Sequence, residues 1–263
     1  MSQSVQNYFG SEEAQKRALR ACCHFLCAID WAVSDRLRLY DDSRHAFDPA
    51  VPADDALKCF RQIYDELVRP PRAGGWGIAR NASGPLWTAE KTFEFLKAEF
   101  SNLPWGGPVN LINFQNIQTT LLSSLEKMKS FKPLKSSEWP TMAISKVLHF
   151  YNAELFPVYD NAVIDQKVLK RFKNEFKDFC LAFSPPWNWE NTPTFYRNYM
   201  GWGAYLLGAA HARFMEVFAE WLAKQPGADL SKRHFDAKRL FATAYEYTLI
   251  GAYADSYCGG QSA

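Results

Sequence analysis

The chain is predicted to be all-α, a compact multi-helix domain spanning residues 1–263, with two lobes, 1–137 and 138–263, around a central cleft as the alternative layout. Three observations predict this. Apolar residues recur at i, i+3, i+4 and i+7 over long stretches. Alternating runs rich in Val, Ile and Thr, the mark of strands, are almost absent. Proline and glycine pairs, among them Pro70-Pro71 and Pro226-Gly227, cut the chain into helix-length pieces. A length of 263 residues with 48% apolar and 22% charged residues is ample for one buried core. Roughly eight to ten helices are expected.

Ser11-Glu12-Glu13 opens a helical pattern that runs to about Tyr40, with Leu19, Cys22, Cys23, Leu26, Ile29 and Val33 at helical spacing. Asp41 to Pro52 reads as a polar loop. A second helix starts near Ala53-Asp54-Asp55 and stops at Pro70-Pro71, which removes backbone donors. Arg72 to Trp87 is Gly-rich. Thr88 then caps a helix reaching about Phe100. Pro104 to Pro108 is an aromatic–glycine loop, and Leu111 to Phe131 is a helix. Next come a helix ending near Tyr151, an extended apolar step, and a helix beginning at Asp160. Residues 185–196 form a third aromatic loop. Phe195 to Ala223 is a long apolar run expected to bend around Gly201 and Gly203. Ser231 to Tyr257 closes the chain as one helix or a pair. No internal repeat or low-complexity tract is present.

The formal charge of +2 excludes a global polycation, so nucleic-acid binding would need a local basic stripe. Aromatic residues make up 16% of the chain. Several lie in Gly/Pro-rich loops: Trp76, Trp87, Trp105, Trp187 and Trp189. Rings in such places either fill gaps between helices or stack on bases. The N-terminal residues do not resemble a signal peptide, and no apolar stretch is long enough to span a membrane. The six cysteines lack framework spacing, which fits a reduced, cytoplasmic protein. Oligomeric state is not written in the sequence.

The segment from Trp139 to Phe172 concentrates the candidate chemistry. Ile144, Val147, Leu148 and Tyr151 form an apolar stripe, which leaves Ser145, Lys146 and His149 on the other side of the helix. Leu155-Phe156-Pro157-Val158 crosses the core in extended form, because Pro157 biases Phe156 away from helix. Asp160 then stands at a helix mouth, beside unpaired N–H groups and the positive end of the dipole. That position suits an N-cap and equally a catalytic carboxylate. Lys167, Lys170, Arg171, Lys173 and Lys177 make a basic stripe after it, diluted by Glu175 and Asp178.

The words SKVLHF and LFPVYDNAV resemble the catalytic core of the helix-hairpin-helix DNA glycosylase superfamily. The resemblance implies that Asp160 is the catalytic carboxylate, orienting a water and stabilising an oxocarbenium-like sugar. It implies Lys146 as the candidate Schiff-base amine and DNA as the partner. Ser136 to Pro140 has no glycine where that family's hairpin holds a phosphate, and no cysteine cluster suits its iron–sulfur centre. No cofactor and no metal is expected. Residues expected to face the substrate are His149, Tyr159, Asn161, Trp139, Trp76, Trp187, Trp189, Lys167 and Arg171.

Other constellations are weaker. Cys23, His24 and Cys27 share a helix but lack the second ligand pair that structural zinc requires. Ser145 and His149 are one turn apart, yet no nucleophile elbow surrounds the serine. His211 sits on an apolar helix, where a satisfied core histidine is the default. Arg72, Arg80 and Arg197 flank the aromatic loops and are candidates for phosphate contact. The leading reading is hydrolysis of the N-glycosidic bond of a flipped, modified base. The alternatives are a non-enzymatic nucleic-acid, nucleotide or small-ligand binder with an aromatic cleft, and a protein–protein interaction module.

Overall fold

The computed structural model describes residues 4–28, 33–70, 76–78, 87–101, 103, 111–131, 139–183, 192–225 and 240–258. All statements about structure refer to these. They are helical with no strand among them, in the order α1 (Asn7–Gly10), α2 (Glu12–Ala28), α3 (Val33–Phe47), α4 (Ala53–Val68), α5 (Ala89–Phe100) and α6 (Leu111–Lys127). A 3-10 turn, Met128–Phe131, extends α6. Then follow α7 (Thr141–Tyr151), a π-helix (Asn161–Leu169), α8 (Lys173–Phe183), α9 (Pro193–Leu207), a 3-10 turn (Gly208–Ala210), α10 (His211–Leu222) and α11 (Phe241–Cys258).

The all-α expectation holds. So do the starts and stops that rest on local chemistry. Thr88 Oγ1 accepts the Lys91 N–H and caps α5. Helix α4 ends at Val68, just before the proline pair. Its last carbonyls are covered by segment 76–78: Trp76 N–H donates to Glu66, Ile78 to Leu67 and Gly77 to Arg69.

Two expectations fail for identifiable reasons. The stretch after Asp41 is helical to Phe47, not a loop. Its acidic start hides a buried stripe of Leu39, Tyr40, Ser43 and Ala46, which has helical spacing. The apolar run after Phe195 breaks at Gly208, where φ is +50°, and not at Gly201 or Gly203. Those two glycines lie inside α9. A Cβ at Gly201 would meet the Phe114 ring at 2.9 Å, and one at Gly203 the Tyr245 ring at 3.1 Å.

Helix α11 is the axis of the molecule. Every residue from Phe241 to Ala252 is buried, which is why its sequence lacks a polar face. It packs against α1, α2, α10 and the π-helix. Where it crosses α2, a Cβ at Gly251 would lie 1.8 Å from the Ala18 carbonyl oxygen, so only glycine permits the crossing. Helices α3 and α4 pack on α7, so the first and second halves of the chain interleave.

Candidate active site at the end of a clamped segment

Helix α7 ends in a tight turn. The Asn152 carbonyl accepts from the N–H groups of Leu155 (3.2 Å) and Phe156 (3.1 Å), while Asn152 Oδ1 accepts from Glu154 N–H at 2.9 Å. The chain then runs extended, and Leu155 to Tyr159 are all buried. A buried backbone with no strand beside it must satisfy its polar groups elsewhere. Here side chains do it. His149 Nδ1 donates to the Phe156 carbonyl at 2.6 Å, and Tyr196 Oη donates to the Pro157 carbonyl at 2.8 Å. Tyr199 Oη reaches the Val158 carbonyl at 3.5 Å. Ser145 Oγ accepts the Tyr159 N–H at 2.9 Å and turns its proton toward the Tyr159 carbonyl (3.2 Å) and its own Met142 carbonyl (3.0 Å). Four successive carbonyls are thus held from α7 on one side and α9 on the other.

Asp160 stands where this clamp ends. Its Oδ1 accepts the N–H groups of Ala162 (2.8 Å) and Val163 (2.9 Å). Its Oδ2 has no hydrogen bond among the described residues, and the residue is partly exposed. The helix it caps is wound as a π-helix, and the Asp165 N–H reaches back to the Asp160 carbonyl at 3.0 Å. Such windings are uncommon and gather at functional sites. Tyr159 turns inward. Burial drives its phenol far above the ordinary range, and the Asp165 carboxylate beside it adds to the effect.

Lys146 is buried, at 6% exposure. Its ammonium donates to the Trp76 carbonyl at 2.7 Å and lies 5.8 Å from the centre of the Trp76 ring. That ring packs edge-on against Phe150, one turn further along α7, at 4.9 Å. The lysine therefore ties segment 76–78 to α7.

His149, expected against a substrate, is fully buried. The Phe156 carbonyl can only accept, so Nδ1 carries the proton and Nε2 is the acceptor. Tyr40 Oη donates to Nε2 at 2.6 Å and is itself 2.9 Å from Thr243 Oγ1. Both ring nitrogens are committed, and the serine–histidine pairing does not form: Ser145 bonds the Tyr159 backbone.

The remaining expected residues divide. Asn161 is exposed beside Asp160. Trp139 is 4% exposed, 6.0 Å from the Tyr196 ring, with no hydrogen-bond partner for Nε1 among the described residues. Lys167 lies over the Phe25 ring and Arg171 bonds Ser256, both at the far end of the π-helix. Trp187, Trp189, Arg72, Arg80 and Trp105 lie outside the described residues. Arg197 is buried, with Asn198 Oδ1 accepting from its guanidinium at 2.9 and 3.3 Å. Trp87 fills the gap beside Phe95 at 4.7 Å.

Sequence reasoning missed Tyr40, Thr243, Tyr196 and Tyr199. The signal for the last pair was their i, i+3 spacing on α9, which puts both hydroxyls on one face. Among the described residues no group of three or more His, Cys, Asp or Glu is placed to hold a metal. The Cys23 thiol donates to Gln225 Oε1 at 3.4 Å. A hollow of about 330 Å³ lies elsewhere, at the α3–α4 turn, lined by His45, Val51, Pro52, Asp55, Lys58 and Cys59 among others. It includes nothing from residues 139–172. No helix among the described residues is long and apolar enough to cross a membrane. A comparison with known proteins finds no matching family model, no similar curated protein and no similar solved structure.

Proposed function

We propose that the protein hydrolyses the N-glycosidic bond of a modified base flipped out of DNA, with Asp160 as the catalytic carboxylate. One observation carries this reading. Asp160 is held in place through Oδ1 alone, at the end of a clamped segment, and Oδ2 remains to face a water or a sugar. A carboxylate placed in advance stabilises developing positive charge without reorganising when the charge appears. The resemblance of LFPVYDNAV to the glycosylase core names the same residue.

In this reading the chemistry needs no amine. Lys146 anchors the Trp76 strap. A Schiff-base role would require its ammonium to leave the Trp76 carbonyl and the indole face. His149 acts from behind, as a holder of the backbone that presents Asp160.

The test is base release from duplex and single-stranded oligonucleotides carrying uracil, oxidised, alkylated or bulky bases, comparing the native protein with Asp160→Asn. Asparagine caps a helix as well as aspartate, so the fold stays. We expect release by the native protein and a drop of at least about a hundredfold in the variant. Equal release by both proteins, or none from any base by the native protein, overturns the reading. Binding without release would leave a nucleic-acid-binding protein.

A further inference from the structure

The far end of the π-helix meets the ends of α2 and α11 in a second cluster. Lys167 Nζ lies 5.0 Å from the centre of the Phe25 ring. Phe25 meets Tyr253 edge-on at 6.2 Å, and Tyr253 meets Tyr257 at 5.2 Å. Arg171 Nε reaches Ser256 Oγ at 3.2 Å. Tyr257 is 64% exposed, far more than a ring needs for packing.

The charges here are not balanced. Elsewhere on the surface Lys16, Arg17, Arg61, Arg69, Lys127 and Arg213 each pair with a carboxylate. Lys167, Lys170 and Arg171 have no ion pair among the described residues. The neighbouring acids are engaged elsewhere. Asp255 accepts from Tyr8 Oη at 2.6 Å and pairs with Arg17, and Glu175 accepts from Ser4 Oγ at 2.8 Å. The Lys170 ammonium donates to Gln166 Oε1.

We infer that Phe25, Lys167, Arg171, Tyr253 and Tyr257 form a shelf that binds an unpaired nucleic-acid strand. The cations meet phosphates and Tyr257 stacks on a base. Cations alone would suit any anion. An exposed ring beside them favours a polyanion that also carries flat faces, and those faces are open only when the bases are unpaired. The shelf deepens the proposed function and rests on it for the partner being nucleic acid. Seven residues at the α-helical rise would span about 10 Å, and the wider π winding makes the axial distance from Asp160 to Lys167 shorter still, so one strand can reach both.

The probe is an unmodified single-stranded oligothymidylate, whose binding needs no base release. Neutralising one cation that meets a phosphate lowers the slope of log affinity against log salt by about 0.7 for single strands. The pair Lys167→Gln/Arg171→Gln should therefore lower it by about 1.4. Tyr257→Ala should weaken binding about tenfold and leave the slope unchanged. Lys58→Gln, in the α3–α4 hollow, should change neither. This division between slope and affinity is not what a general loss of structure produces.

Absence of binding by the native protein, or unchanged slope and affinity in the shelf variants, overturns the inference. So does tighter binding of the oligothymidylate once annealed to oligoadenylate, or binding of phosphatidylserine vesicles in place of the strand. The two proposals fail separately. Asp160→Asn should keep the shelf's binding. Base release with indifferent shelf variants removes the shelf alone, and shelf binding without release from any modified base removes the glycosidase activity alone.

Discussion

His149 and Asp160 are eleven positions apart in one segment, and the fold treats them oppositely. The imidazole is sealed from solvent, and both nitrogens have partners. The carboxylate is partly exposed, and one of its oxygens has none among the described residues. The difference separates two uses of a polar side chain. A buried and fully bonded group stabilises, because losing its partners would leave orphaned groups. A group held by half its bonding capacity has the other half for a ligand. Ser145, Tyr196 and Tyr199 belong with His149: they spend their hydrogen bonds on the backbone that delivers Asp160.

The comparison breaks first at the histidine. His149→Ala should cost about 3 kcal/mol, because it opens a cavity and strands the Phe156 carbonyl, while the Tyr40 hydroxyl keeps Thr243. Thermal unfolding should show a midpoint lowered by about 6–12 °C. A midpoint within a degree of native would mean that the imidazole is not the clamp described. Asp160 should give the reverse pattern. On the proposed activity, Asp160→Asn should lose base release with stability unchanged to within about 0.5 kcal/mol, whereas Asp160→Ala should also lose about 1 kcal/mol of cap. A strongly destabilised asparagine variant would move Asp160 into the structural class.

Ser145→Ala sharpens the boundary between the two. It strands the buried Tyr159 N–H and should cost about 1–3 kcal/mol by denaturant unfolding. Release should slow because the carboxylate is less well held. Unaltered release at unaltered stability would remove the serine from the clamp. The smallest effect concerns a second histidine. His211, half-buried and stacked on Phe241, has its pKa lowered by burial. Between the ordinary histidine range and that lower native value, the unfolded chain binds a proton that the native one does not. Stability should therefore fall as pH drops through this window, and be indifferent to this group above it. His211→Gln should remove that part of the pH dependence, seen as unfolding midpoints that no longer converge on acidification. An unchanged profile would show that the imidazole titrates as if exposed.

Legibility in the sequence followed the range of the forces involved. The α4 stop, the Thr88 cap and the Asp160 cap were readable because each involves residues within one turn. The α3 extension was not, because Ser43 is buried against a distant part of the chain and donates to the Phe150 carbonyl. Gly201 and Gly203 looked like bends, since the rings that need their missing side chains are remote in sequence. For Lys146, residue type suggested an available amine. Its actual partner is a backbone carbonyl 70 positions away, which no periodicity encodes. The clamp is legible only in hindsight, as two tyrosines three apart on α9.

The π-helix carries a consequence of its own. Its wider winding stores one residue of slack between Asp160 and the shelf. Deleting a residue from Asn161 to Ile164 would let the turn tighten to an ordinary α-helix, still capped by Asp160. Everything downstream would then keep its bearing, because the residue removed is the surplus one. Lys167 and Arg171 would stay on the α2–α11 side, whereas the same deletion in an ordinary α-helix would turn them about 100° away. The wide winding is thus a tolerance built between the carboxylate and the basic side chains: one residue can be lost there without turning either away from its neighbours.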